Sequence, residues 1–182
     1  AAWSRHGADC LGLFDGMFAF VLFDGTQTHL VTDPFGEKPL YLAQTDQGVY
    51  YSSEPQPLVE SLSLRFDPSE EETAAFLTLG FLPAPSTGYG KLQVLEPGSH
   101  VVIRDGKVTS RTRYWVPDMP EVRTSKVQPV SKQDVDRVAD VLIDSVNVRL
   151  RSDVPMSTFL SSGVDSALVA AIAEKELNVR VP

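Results

Sequence analysis

The sequence predicts two units of different class: an α+β unit built on antiparallel sheet over residues 1–115, and the opening of a parallel α/β unit over 131–182, joined by a linker at 116–130. Three observations predict this. In the first unit short apolar runs alternate with tight-turn sequences, DGTQT at 24–28, TDQG at 45–48 and Asp105-Gly106, which is the pattern of β-hairpins. From 116 to 130 the composition shifts to three prolines, mixed charge and few large apolar residues, as in a connection between domains. Beyond it a strand-like run, a glycine-bearing turn, a helical run and the start of another strand follow one another, the order that builds a parallel sheet.

Taken in order, residues 1–13 read as the end of a helix, and GMFAFVLFD at 16–24 as a strand apolar on both faces and packed between two layers. HLVTD at 29–33 is its return strand. After DPFGEKP, the runs LYLAQ and VYYSSE form a hairpin. In DPSEEETAAFLTLG, Ser69 and Glu72 stand at capping-box spacing, Glu70, Glu71 and Glu72 crowd the first turn, and Gly80 marks the stop, so 67–80 holds a helix. LPAPSTGYG is irregular, and SHVVIRDGKVTSRTRYW is a second hairpin. In the second unit Val135, Val138, Leu142, Val146 and Leu150 recur at steps of three and four, giving an amphipathic helix over 131–151 capped by Ser131. VPMSTFL then reads as a strand, SSGVDS as a turn, ALVAAIAEKEL as a helix and VRVP as the first residues of another strand.

Composition narrows the function classes. The net charge is −8 with no lysine or arginine run, so a nucleic-acid backbone would meet repulsion over most of the surface. The longest nearly uncharged apolar stretch, 16–23, is far short of the roughly 20 residues that cross a bilayer, and no secretory pattern opens the chain, which places the protein in the cytoplasm. A single cysteine, Cys10, excludes an internal disulfide. With His6, His29 and His100 it matches no zinc spacing, so a structural metal site is not expected.

The turn at 161–166 carries the chemistry. A glycine-bearing turn between a buried strand and a helix aims backbone N–H groups and the positive helix end at the sheet's carboxyl edge, where anions bind. Ser161, Ser162 and Ser166 add hydroxyls, and Gly163 is free to take the positive φ that a tight nest requires. Asp165 is the odd member, since a carboxylate beside a phosphate is costly unless a cation lies between them. That pairing points to a nucleotide with Mg²⁺; the plain alternative is a turn whose Ser and Asp only cap the helix. The spacing fits neither a P-loop, because no lysine follows Gly163, nor a hydrolase elbow, because Phe159 stands where the first glycine would be.

SSGVDS, preceded by RSDVPMSTFL, resembles the pyrophosphatase loop (S-G-G-x-D-S) of the glutamine-dependent asparagine synthetases. GMFAFVLFD, TDPFGEKPLY and YYSSEPQPLV are similar to the segments that finish that family's class II glutaminase domain, and LGFLPAPSTGYGKLQVLEPGSHVVI with the later RYW to its stretch before the linker. The resemblance implies the C-terminal part of an N-terminal nucleophile hydrolase, with layered antiparallel sheets and helices, over 1–115. Over 131–182 it implies the start of an ATP-pyrophosphatase-type domain. It further implies two chemistries in the parent protein: release of ammonia from glutamine, and use of ATP and Mg²⁺ to adenylate aspartate, which ammonia then converts to asparagine with AMP and pyrophosphate leaving. Leu160, Ser161, Ser162, Gly163, Val164, Asp165 and Ser166 would then hold the nucleotide, with Asp165 at the metal. The partners implied are glutamine, aspartate and ATP, with neither nucleic acid nor membrane, and a homodimer is compatible with this.

The sequence departs from the family at several positions. The family's nucleophile is an N-terminal cysteine, whereas residue 1 here is alanine, so no catalytic residue is assigned. Cys10 falls at a small buried helix position in register with GMFAF. The chain thus reads as an internal piece that catalyses neither half-reaction by itself. Ser162 stands where glycine is more frequent, and Thr32 and Pro34 flank Asp33 where arginines are frequent, which puts a salt bridge there in doubt. Lys38 reads as structural, and Glu70, Glu71 and Glu72 as a helix N-terminal charge set. Two other readings share these residues: a two-domain amidotransferase with a different acceptor, β-lactam synthetase-like or sugar-modifying, and a non-catalytic interaction module. A self-standing hydrolase built on Cys10 would require alkylation-sensitive glutamine hydrolysis.

Overall fold

Alternation of apolar and polar residues gives the first unit two antiparallel sheets. A computed structural model describes residues 2–119, 129–177 and 179, and the chain divides into a unit ending at Met119 and one beginning at Pro120. One sheet has four strands in the order β1-β2-β6-β7: Ala19–Phe23 (β1), Thr28–Thr32 (β2), Ser99–Arg104 (β6) and Lys107–Arg113 (β7). The other has three, in the order β4-β3-β5: Tyr41–Thr45 (β3), Gly48–Ser52 (β4) and Leu92–Val94 (β5). The β1–β2 turn is closed by Asp24, whose Oδ1 accepts the N–H groups of Thr26 and Gln27 at 2.8 Å each. Asp105 and Gly106 both adopt positive φ, 50° and 71°, at the β6–β7 hairpin turn.

Side-chain alternation then sorts the layers. Leu30, Val101 and Ile103 from the first sheet meet Leu40, Leu42 and Leu95 from the second in the central core. Fully burying a leucine side chain in such a core contributes about 1.5–3 kcal/mol. On the far face of the second sheet Ala43 and Leu92 pack on Leu58 of Pro55–Ser61 (α2). On the far face of the first sheet, Trp3 of Ala2–His6 (α1) lies against Phe20, His29 and His100. The layers therefore run helix, sheet, sheet, helix. A 3₁₀ helix, Gly7–Leu13, continues from α1 and buries Cys10 and Leu11.

The helix over 67–80 forms as Glu70–Leu79 (α3) with a complete capping box: Glu72 N–H donates to Ser69 Oγ at 3.1 Å, and Ser69 N–H donates to Glu72 Oε2 at 2.9 Å. Gly80 ends it in the left-handed conformation at φ 80°. In the second unit Lys132–Arg149 (α4) begins with another capping box, Ser131 with Asp134. Val164–Ala171 (α5) follows the serine turn and passes into one π-type turn, Ile172–Glu176. Among the described residues no helix is long and apolar enough to cross a membrane.

Three expectations are corrected. β1 is not covered on both faces: Val21 and Phe23, which share one face of the strand, are 38% and 67% exposed. The N-terminal helix ends at His6, because Gly7 takes φ 56° and the chain tightens to 3₁₀. VPMSTFL forms no strand: no described neighbour offers it a ladder, and Phe159 and Leu160 stand 101% and 67% exposed. Two elements went unread. α2 has Pro55 in its first turn, where a proline suits a helix start as well as a loop, and β5 is only three residues long. Of the expected strand at 179–182 all but Val179, and most of the linker at 116–130, lie outside the described residues.

Candidate functional site

At the start of α5 the serine turn closes on itself. Ser161 Oγ and Ser166 Oγ lie 2.8 Å apart, Gly163 N–H donates to Ser161 Oγ at 3.2 Å, and Ser166 Oγ reaches the carbonyl oxygens of Ser161 at 3.2 Å and Gly163 at 3.1 Å. These bonds fix the bend without a positive φ. Gly163 sits in the extended region at φ −81°, ψ 152°, and Ser162 is not among the positive-φ residues. The expected nest is therefore not what shapes the turn. A Cβ on Gly163 would meet Ser161 Oγ at 3.1 Å, so glycine is present for close packing of the hydroxyl bracket.

The helix end above this bracket has no side-chain cap. The first intrahelical bond at this end is Ala167 N–H to Gly163 O at 3.3 Å, and the N–H groups of Val164, Asp165 and Ser166 precede it in the uncapped first turn. Leu160, Ser161, Ser162, Gly163, Val164 and Asp165 are all exposed, and Ser166 is half-buried. The backbone thus brings the seven predicted residues to one open helix end, with N–H groups, hydroxyls and one carboxylate side by side. Among the described residues no three His, Cys, Asp or Glu side chains converge as metal ligands.

A second construction surrounds Asp33, which is fully buried. Its Oδ1 accepts the N–H groups of Phe35 and Glu37 and its Oδ2 those of Lys38 and Phe18, at 3.0, 3.0, 3.0 and 3.2 Å. Burial pushes its pKa up, but the four donated N–H bonds outweigh burial and hold it below the ordinary value. Thr32 works beside it as a neutral bridge: Thr32 Oγ1 donates to Glu96 O at 2.8 Å and accepts from Ser99 N–H at 3.0 Å. Tyr114 donates to Thr32 O at 2.7 Å, and burial, with the nearby Asp33 charge, raises the phenol to about 12. No salt bridge is needed, because backbone donors replace the arginine. Gly98 closes the loop, donating its N–H to Asp33 O at 2.8 Å with φ 64°, and a Cβ there would lie 2.5 Å from Trp115 O. Lys38 contributes its N–H while its side chain is exposed, which fits a structural part.

Residues 1–115 match the family model described as a glutamine amidotransferase domain. The chain belongs to that amidotransferase family. Residues 137–181 match a second model, asparagine synthase. The chain is 34% identical over 179 residues to asparagine synthetase [glutamine-hydrolyzing] 1 of Bacillus subtilis, covering 96% of this chain and 27% of that protein. It is 29% identical over 177 residues to asparagine synthetase [glutamine-hydrolyzing] 1 of Saccharomyces cerevisiae, covering 94% of this chain and 25% of that one. The chain therefore spans about a quarter of the length of these relatives. The solved structure of the allosteric regulatory enzyme of purine biosynthesis aligns over 98% of this chain and 34% of that one at 15% identity, and its TM-score of 0.40 is too low to add to the fold described above.

Within the amidotransferase domain the remaining candidates fall into structural places. Cys10 is fully buried in the 3₁₀ helix, as expected of a small apolar tenant. Glu71 and Glu72 are held below the ordinary carboxylate range by hydrogen bonds at the start of α3, as for a charge set that serves the helix end. The Glu72 side chain also lines a cavity of about 610 Å³ bounded by Tyr41, Phe66, Phe76 and Tyr89, but its carboxylate is already engaged by Ser69 and Gly88. Nothing in the order of residues shows that His29 and His100 meet. They sit on neighbouring strands 71 positions apart, and only the β2–β6 register joins them.

Proposed function

We propose that this chain is part of an ATP-dependent, glutamine-hydrolysing asparagine synthetase. The observation that carries the proposal is the order of the two family matches, amidotransferase over 1–115 and asparagine synthase over 137–181, the second spanning the serine turn. In that reading the amidotransferase domain delivers ammonia, and the turn at 161–166 holds the pyrophosphate portion of ATP. The donor set fits a polyphosphate: an uncapped helix end, the exposed hydroxyls of Ser161 and Ser162, and the Ser161–Ser166 bracket that fixes their positions. Leu160 and Val164 flank the nucleotide. Asp165 would offer an oxygen ligand to a Mg²⁺ that accompanies the nucleotide, a hard cation suited to carboxylate and phosphate oxygens.

ATP, when bound, supplies the adenylyl group that converts a carboxylate oxygen of aspartate from a poor leaving group into a good one. The work of this chain is electrostatic. Fixed N–H groups at the start of α5 stabilise charge that grows on the departing pyrophosphate, and the bracket removes the need to reorganise when it does. Ammonia then attacks the activated carboxyl, and AMP leaves.

The test is made in the complete parent enzyme. Asp165→Ala is expected to abolish ATP-dependent amide formation, with a loss of at least about a hundredfold as for removal of a charge-stabilising group, while glutamine hydrolysis persists. Product analysis by mass spectrometry with aspartate as acceptor reads the first, and glutamate release reads the second. Loss of both activities in a folded variant, or full synthesis without Asp165, overturns the assignment.

A further inference from the structure

Asp24, His29 and His100 form a continuous hydrogen-bonded chain under Trp3. His29 Nε2 donates to Asp24 Oδ2 at 3.0 Å, and His29 Nδ1 lies 3.0 Å from His100 Nε2. Both imidazoles are buried, 7% and 9% exposed, and stack with centroids 5.3 Å apart. With the carboxylate fixing the His29 tautomer, the neutral pair has one consistent arrangement: His100 Nε2–H donates to His29 Nδ1, and His29 Nε2–H to Asp24. The Trp3 ring covers this pair, 4.7 Å from His29 and 5.8 Å from His100. Trp3 is the α1 residue that stacks on these rings and on Phe20, and α1 contains no fully buried residue.

The short N···N contact can hold one proton only. Were both rings charged, Nδ1–H of His29 and Nε2–H of His100 would point at each other across 3.0 Å in a site largely closed to water. We infer that Asp24, His29 and His100 form an acid-operated latch that holds Trp3, and with it α1, on the first sheet at neutral pH and releases both when the two rings are protonated. Groups on the surrounding elements do not offset that charge. Opposite His29 on β1 is Leu22, opposite His100 on β7 is Thr112, and Arg111 and Arg113 pair with Val101 and Ser99, whose side chains lie on the other face. On the N-terminal segment Arg5, His6 and Asp9 are exposed. Among the described residues Asp24 is the carboxylate bonded to the pair, and of the two rings it bonds His29 alone.

The sign follows from linkage. Burial first, and the neighbouring His29 second, lower the His100 pKa in the closed state, while the released ring returns to about 6.5. The closed form therefore loses stability relative to the released form as pH falls below 6.5, and the released fraction rises about tenfold per pH unit for each proton taken up.

The test is an NMR titration of the full 182-residue chain from pH 7.5 to 5, following the indole N–H signals of Trp3 and Trp115 and the ring nitrogens of His29 and His100. The Trp3 signal is expected to move to its free-peptide position as both rings charge, while Trp115 stays. In His100→Gln the Trp3 signal should not move over this range. Rings that titrate with Trp3 in place, Trp3 and Trp115 moving together, or an unchanged Trp3 midpoint in a folded His100→Gln variant would each overturn the latch. If that variant does not fold, the comparison of the two indoles and four ring nitrogens in the unaltered chain still decides.

Discussion

At the residue scale the largest single electrostatic commitment in the first unit is Asp33, a fully buried carboxylate satisfied by four backbone N–H groups from the segment 34–38 and from Phe18. Asp33→Asn keeps the shape but turns one acceptor into an NH₂ that faces two donors. Hydrogen bonds to a charged group contribute about 1.5–3 kcal/mol each, and a buried donor left without a partner costs a further 1–3. The substitution should therefore destabilise the first unit by roughly 2–4 kcal/mol at pH 7, allowing for relaxation. The folded pKa of Asp33 lies below its unfolded value, so this stabilisation is complete above about pH 5 and is lost as pH falls through the folded pKa. Urea midpoints of the two proteins should thus converge toward pH 3, and an asparagine variant within 0.5 kcal/mol of the parent at pH 7 would refute the role. The residue was visible in the sequence as the first member of DPFGEKP, but its four partners were not. Backbone N–H groups leave no mark in residue identity, whereas the missing arginine did.

At the element scale the parts that could be read were those whose ends carry their own chemistry. Ser69, Glu72 and Gly80 bound α3 by local bonds, and Ser131 with Asp134 begins α4 in the same manner, so both helices were legible from a few letters. β1 was misread because an apolar run states only that burial is wanted. Whether another layer covers both of its faces depends on packing with residues far along the chain, and Val21 and Phe23 are left exposed. VPMSTFL failed as a strand for the same reason, since a parallel strand needs neighbours in order to exist. A local cap predicts a local, modest effect: Ser69→Ala should cost about 1 kcal/mol, read as a lower urea midpoint with unchanged slope. Because Glu72 also accepts Gly88 N–H at 3.4 Å, the loss should reach the 86–90 loop as faster amide exchange there. An unchanged midpoint would mean that α3 takes its stability from packing and not from its cap.

At the scale of the whole molecule, stability is unequally shared. Among the described residues the buried apolar side chains beyond Met119 are Ile172 and Ala173 alone, whereas the first unit buries the leucines and valines of both sheet faces. The apolar stripe of α4 is in place as its period predicts, yet Val135, Val138 and Leu142 remain 56%, 59% and 37% exposed. An 18-residue helix whose apolar face is largely exposed over its first half rests mostly on its propensity, its cap and its contact with Ile172–Glu176, and isolated helices of that length are marginal in water. The first unit, by contrast, closes two sheets on one core, the condition for an all-or-none transition. Residues 1–119 expressed alone should therefore unfold cooperatively in urea, with a midpoint equal to that of the main transition of the 182-residue chain. Residues 120–182 alone should show partial helix by circular dichroism that fades without a sigmoidal transition. A cooperative transition in the second piece would mean that α4 and α5 cover each other well enough to make a core. A first piece that fails to fold would mean that the helix-sheet-sheet-helix layers need residues beyond Met119, and either result would change which part of the chain is the scaffold and which part is carried on it.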